Sequence, residues 1–123
     1  MEPRTLVAVV DDDESVRESL PDLLRELGYS AQAFASAEEF LASPAAAPWC
    51  LILDVAMPGM TGPELQQELL RRGSDIQVIF ITARADDCVR RQLLAQGAAG
   101  CLFKPFSEHE LRTALDVALQ RAE

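Results

Sequence analysis

Four short apolar runs in this chain each end in a polar group capable of chemistry. Leu6-Val7-Ala8-Val9-Val10 stops at Asp11-Asp12-Asp13, and Trp49-Cys50-Leu51-Ile52-Leu53 stops at Asp54. Ile76-Gln77-Val78-Ile79-Phe80-Ile81 stops at Thr82, and Cys101-Leu102-Phe103 stops at Lys104-Pro105. A charge directly after a buried run must be neutralised or point out of the end of a sheet. If the four ends converge, Asp11, Asp12 and Asp54 bring three negative charges and Lys104 one positive. Close carboxylates raise one another's pKa unless a cation offsets the repulsion. Mg²⁺ or Mn²⁺ would bring the sum to zero, and Mg²⁺ favours a few carboxylates, a carbonyl and waters in octahedral geometry. An aspartate is also a covalent nucleophile toward phosphoryl groups. Phosphorylating Asp54 would replace one negative charge by roughly two, which Lys104 as a point charge and Thr82 as a hydroxyl donor would suit.

Each residue alone has a plainer reading. An acidic run is a solvated helix start that complements the dipole, and an Asp before a turn is a turn former. Thr82 alone is a strand residue and Lys104 alone a surface charge. Together, at four strand ends, they point to a site.

Alternating periods supply the elements that must position this site. After strand 6–10, residues 14–27 place Val16, Leu20, Leu23, Leu24 and Leu27 on one helical face, with Gly28 as the stop. Pro21 lies inside that helix, where it removes a hydrogen bond and should kink it. Residues 29–35 alternate weakly, as an edge strand does. Ser36-Ala37-Glu38-Glu39 opens a short helix through Leu41 as a capping box. Residues 43–48 form a loop by their prolines. Strand 49–53, helix 62–72 with Pro63 in its first turn, strand 76–82, helix 86–96 and strand 99–103 follow. Helix 107–121, capped by Ser107 with Glu110 three residues on, completes the chain. Strict alternation predicts a parallel sheet covered on both faces, with ligands at the carboxyl ends of its strands.

The 123 residues suit one domain, 1–123, with an ordinary 49% hydrophobic and 25% charged composition. A net charge of −9, from 20 acidic and 11 basic residues, disfavours direct nucleic-acid binding. No apolar stretch approaches the roughly 20 residues of a membrane helix. Met1-Glu2-Pro3-Arg4 leads straight into a strand, which predicts no signal peptide. Cys50, Cys88 and Cys101 lack metal-site spacing and read as free thiols in a reducing cytoplasm.

Val9-Val10-Asp11-Asp12-Asp13, Leu53-Asp54-Val55-Ala56-Met57-Pro58-Gly59-Met60-Thr61-Gly62, Ile81-Thr82-Ala83 and Lys104-Pro105-Phe106 resemble the motifs of receiver domains of bacterial two-component response regulators. Ser36-Ala37-Glu38-Glu39-Phe40-Leu41 is most similar to FixJ-like members. The resemblance implies a flavodoxin-like (CheY-like) α/β fold with strand order 2-1-3-4-5. It implies that Asp54 accepts phosphate from a histidine kinase and that Asp11, Asp12, Asp54 and the Ala56 carbonyl hold Mg²⁺. Asp12 would ligate most directly, Asp11 through water; Asp13 matches a variable position. Thr82 would move to the phosphoryl oxygens, Lys104 would pair with them, and Lys104–Pro105 would be cis. A downstream protein or output domain would read the state, and a phosphorylation-dependent homodimer is among the outcomes. With the sequence ending at Glu123, the expectation is that an output domain is either absent or removed.

Two departures matter. The family's rotating aromatic, three residues before the lysine, is Cys101 here, which predicts a muted or rewired switch on the face formed by 86–96, 99–103 and 107–121. The side chains two after the acceptor and two after the threonine are Ala56 and Arg84. Ala56 cannot orient a water and Arg84 could shield the phosphoryl group, so slow self-dephosphorylation is expected. Trp49, at the start of the strand of Asp54, reads as a core-packing residue that would also serve as a fluorescence probe of metal binding, and His109 is no relay histidine. A flavin carrier would need a glycine- and hydroxyl-rich phosphate loop where Asp11-Asp12-Asp13 stand. A dehalogenase-like phosphatase would need a second Asp at Ala56. A degenerate receiver, binding partners without phosphate, is the remaining alternative. On the main reading the domain is no enzyme beyond assisting its own phosphorylation and hydrolysis.

Overall fold

The computed structural model describes residues 6–43, 48–84 and 86–122. The readings made on Met1–Arg4 and on residues 44–47 of the proline loop lie outside them. Elements run β1 (Leu6–Val10), α1 (Glu14–Glu26), β2 (Ser30–Phe34), α2 (Ala37–Ala42), β3 (Cys50–Asp54), α3 (Gly62–Arg71), β4 (Gln77–Thr82), α4 (Asp87–Ala95), β5 (Gly100–Phe103) and α5 (Glu108–Ala122).

All strand pairs are parallel and the order is β2-β1-β3-β4-β5. Strand alternation divides the core into two. Val7, Val9, Cys50, Ile52, Ile79 and Ile81 face α1 and α5, packing on Leu20, Leu24, Leu111 and Leu115. Ala8, Val10, Leu51, Leu53, Val78 and Phe80 face the other layer, with Leu65 and Leu69 of α3 and Leu93 of α4. With helices on both faces the central strands are apolar on both sides, and all five residues of β3 are buried. The chain goes from β1 outward to β2, then crosses back to β3. The β1/β3 boundary is therefore the point where strand order reverses, and Asp11 and Asp54 flank it.

Several local readings change. Asp54 is the last residue of β3, paired with Ile81, one residue beyond the expected strand 49–53. Trp49 precedes the strand, at the end of the sheet remote from Asp54, against Tyr29 at a ring separation of 5.9 Å. Five residues of strand are roughly 16 Å, so Trp49 is badly placed to sense a metal at Asp54. Helix α1 continues through the buried Pro21, whose missing N–H leaves the Arg17 carbonyl without its intrahelical donor. Asp13 caps α1, accepting from Ser15 N at 2.9 Å. The three cysteines are unpaired, and His109 is exposed on α5. Among the described residues no helix is long and apolar enough to cross a membrane.

Candidate functional site

The carboxyl ends of β1, β3, β4 and β5 meet at one end of the sheet. Asp11 is fully buried and its carboxylate is shared: Oδ1 accepts from Asp13 N at 2.9 Å and Oδ2 from Lys104 Nζ at 2.8 Å. Its carbonyl accepts from the Arg17 guanidinium at 3.0 Å. Asp54 is 6% exposed, and its Oδ1 lies 3.6 Å from Lys104 Nζ. Asp12 is exposed, and one oxygen from each of Asp11, Asp12 and Asp54 lies within 4.8 Å of the others. The Lys104–Pro105 peptide is cis. Lys104 N donates to the Thr82 carbonyl at 2.8 Å, fixing the end of β5 against the end of β4.

Charge is poorly balanced here. Burial, and then the neighbouring Asp11, push the Asp54 carboxyl up to about 6 despite the opposing pull of Lys104. Burial works against the Lys104 ammonium, but its hydrogen bond to Asp11 and the charge of Asp54 outweigh that and hold it above its usual value. One ammonium among three carboxylates leaves room for a divalent cation, and an all-oxygen donor set suits a hard one.

The loop after Asp54 is tied from several sides. Val55 N donates to the Ile81 carbonyl and Gly62 N to the Val55 carbonyl, each at 3.0 Å. Gly62 is required by space, since a Cβ there would lie 2.2 Å from the Asp54 carbonyl oxygen. Thr61 and Glu64 form a reciprocal capping box that starts α3. Outside, Glu38 of α2 reaches across to accept from Met60 N at 2.9 Å. The capping box was legible as a Thr-x-x-Glu spacing; the Glu38 contact spans 22 positions and had no local signal.

A cleft of about 410 Å³ opens at the acidic cluster, lined among others by Asp54, Ala56, Thr82, Arg84, Asp86 and Lys104. Thr82 is 8% exposed, and its Oγ1 accepts from Arg84 N at 3.1 Å. The Arg84 side chain is exposed at the rim. Asp86, passed over in the sequence, spends its carboxylate capping α4 through Cys88 N and Val89 N. Cys101 is half-buried against the α3/α4 core, in register with Phe80, and does not line the cleft.

The family model described as response regulator receiver domain matches residues 7–116. The chain is a response regulator receiver domain. This receiver is 39% identical over 119 residues to the response regulator protein TodT of Pseudomonas putida, covering 96% of this chain and 52% of that protein. It is equally 39% identical over 119 residues to the transcriptional regulatory protein FixJ of Azorhizobium caulinodans, covering 94% of this chain and 56% of FixJ. A response regulator receiver protein from Burkholderia phymatum superposes with a TM-score of 0.80 at 44% identity, covering 93% of this receiver and 94% of that chain. The receiver spans about half the length of the curated relatives it matches. The FixJ-like resemblance and the 2-1-3-4-5 fold both hold.

Proposed function

We propose that this receiver is a phosphorylation switch in which Asp54 takes phosphate from a histidine kinase in a Mg²⁺-dependent reaction. The observation that carries this is that Asp11, Asp12 and Asp54 cluster within 4.8 Å while Asp54, Thr82 and Lys104, from three further strand ends, line one cleft. Asp11, Asp12, Asp54 and the Ala56 carbonyl are the groups that would hold the cation. Bound there, it would supply positive charge to the phosphoryl oxygens and to the crowded carboxylates.

An Asp54 carboxylate oxygen attacks phosphorus, a P–O bond forms, and the bond to the donor nitrogen breaks, the electron pair leaving with the imidazole. Lys104 Nζ, 3.6 Å from Asp54 Oδ1, is placed to meet the added charge. Thr82 Oγ1 exchanges its bond from Arg84 N for one to a phosphoryl oxygen. Population then shifts between two arrangements of the α4/β5/α5 surface, which a partner, an output domain or a second copy distinguishes. The domain is no enzyme in the ordinary sense, since it turns over only its own phosphate. A reducing cytoplasm is where such a partner kinase would deliver it.

Acetyl phosphate with Mg²⁺, followed by intact-mass measurement, tests the reading. One phosphoryl mass should be added to the native chain, none with EDTA and none in Asp54→Ala. No added mass, or one retained by Asp54→Ala, would refute it.

Cys101 favours a second reading, a receiver whose surface binds partners regardless of phosphate, because a thiol cannot serve as the rotating ring. The two separate by amide exchange over 87–117 with and without beryllofluoride. A small response in the native chain that grows in Cys101→Tyr marks a muted switch; no response in either favours the binding module.

A further inference from the structure

We propose that Glu38 is a positioning residue for the acceptor site, a latch by which α2 fixes the loop that follows Asp54. The inference rests on the reading of Asp54 as acceptor. Between Val55 and Gly62 the loop runs through Met57, Pro58, Gly59 and Met60. Its inner ends are held by the Val55, Gly62 and Thr61 bonds. Its outer bend is held by Glu38, whose Oε2 accepts from Met60 N at 2.9 Å. The same carboxylate lies directly over Gly59, where a Cβ would come within 2.8 Å of Oε2. Gly59 has φ of +75°, so the bend takes a left-handed residue and leaves just enough room for the carboxylate above it.

Glu38 is held in place from its own side. Ser36 caps α2, accepting from Glu39 N at 3.0 Å, while Glu39 Oε1 accepts from Ala35 N at 2.9 Å. With Glu39 occupied in the cap, its neighbour is free to turn toward the loop. The Met60 N–H is the main influence holding the Glu38 carboxyl below its usual range, so the charged acceptor persists at neutral pH. Because the loop carries the Ala56 carbonyl, an unlatched loop would present that oxygen in several positions and bind a cation less tightly.

Three variants decide the matter: Glu38→Ala, Glu38→Gln, which keeps an acceptor oxygen, and Glu39→Ala, which loosens the α2 cap but leaves the latch. The first readout is NMR-detected exchange of the Met60 amide in metal-free protein; the second is Mg²⁺ affinity by calorimetry. Glu38→Ala should speed Met60 exchange at least about tenfold, the loss of a stable hydrogen bond. It should weaken Mg²⁺ about threefold to tenfold, less than the roughly 10–100-fold typical of a group bonded directly to a metal ligand. Glu38→Gln should recover most of both, and Glu39→Ala should change neither comparably. Unchanged Met60 exchange in Glu38→Ala, or an equal loss of cation affinity in Glu39→Ala, would overturn the latch. Failure of the native chain to bind Mg²⁺ would instead count against the functional reading, and Met60 exchange would still decide the latch.

Discussion

Lys104 donates its hydrogen bond to Asp11, not to Asp54: Nζ lies 2.8 Å from Asp11 Oδ2 and 3.6 Å from Asp54 Oδ1. The ammonium thus neutralises the fully buried acid and leaves Asp54 with the weaker pairing. A cation entering between the two acids would compete with Lys104 for Asp11 and free it to follow charge added at Asp54.

Lys104→Met should therefore separate stability from chemistry. Without the ammonium, Asp11 is a buried charge with no cationic partner, and the metal-free protein should lose about 2 kcal/mol, discounted for the partial exposure of Lys104. Mg²⁺ should restore most of this and should bind about tenfold tighter to the more negative pocket. Phosphorylation by acetyl phosphate should slow about 100-fold, the scale of losing one charge-stabilising donor. Thermal unfolding with EDTA and with Mg²⁺, beside mass-detected phosphorylation rates, checks all three; identical melting in EDTA would contradict the pairing.

The raised Asp54 carboxyl has a pH signature. Its usual value is 3.8 and its folded value about 6, so folding disfavours the ionised form. Below about pH 4 both states are protonated and the residue costs nothing. Between pH 4 and 6 the unfolded chain ionises first, so stability falls as pH rises, and above pH 6 the full cost remains. Two units at about 1.4 kcal/mol each set an upper bound, and on the order of 2 kcal/mol is a reasonable expectation. Asp54→Asn should accordingly be more stable than the native chain in EDTA at pH 7, with the difference vanishing near pH 4. Urea titrations across that range measure it.

Gly62 should tolerate no side chain. A Cβ 2.2 Å from the Asp54 carbonyl oxygen and 3.1 Å from the Phe80 ring forces either α3 or the acceptor strand to move. Gly62→Ala should cost about 2 kcal/mol, within the range for overpacking, despite the better helix propensity of alanine. Urea unfolding reads the cost, and slower phosphorylation would show that the displaced partner is β3.

Arg84 is placed at the mouth of the cleft, forming no ion pair with another described residue, opposite an Ala56 too short to hold a water. Arg84→Ala should shorten the lifetime of phosphorylated Asp54 about threefold, followed by mass decay after removal of the phosphodonor. An unchanged decay rate would remove Arg84 from any shielding role.

The site was legible because strand ends are where an apolar run must stop, and Asp11, Asp54, Thr82 and Lys104 each stop one. Register was not legible, because the central strands are apolar on both faces and no alternation marked Ile79 as the partner of Ile52. Helix caps at Ser36 and Ser107 were visible because their partners lie three residues away. Glu38 escaped notice because its partner is distant in sequence and its position also satisfies a helix N-terminus. Trp49 packs on the core as expected, but its use as a metal probe fails because membership of one apolar run says nothing about which end of the sheet a residue occupies. Pro21 remained a conflict in the sequence because burial in the packed layer, not local propensity, holds α1 together there.

The alternation that splits the core also divides labour. Asp54 follows Cys50 and Ile52 in phase, toward α1 and α5, whereas Thr82 follows Val78 and Phe80, toward α3 and α4. On the proposed mechanism the sheet is a bulkhead: the phosphoryl group would be added on one side, and the hydroxyl proposed to register it is rooted on the other. A message crossing that wall needs no travelling wire, only a single side chain at the rim that changes allegiance.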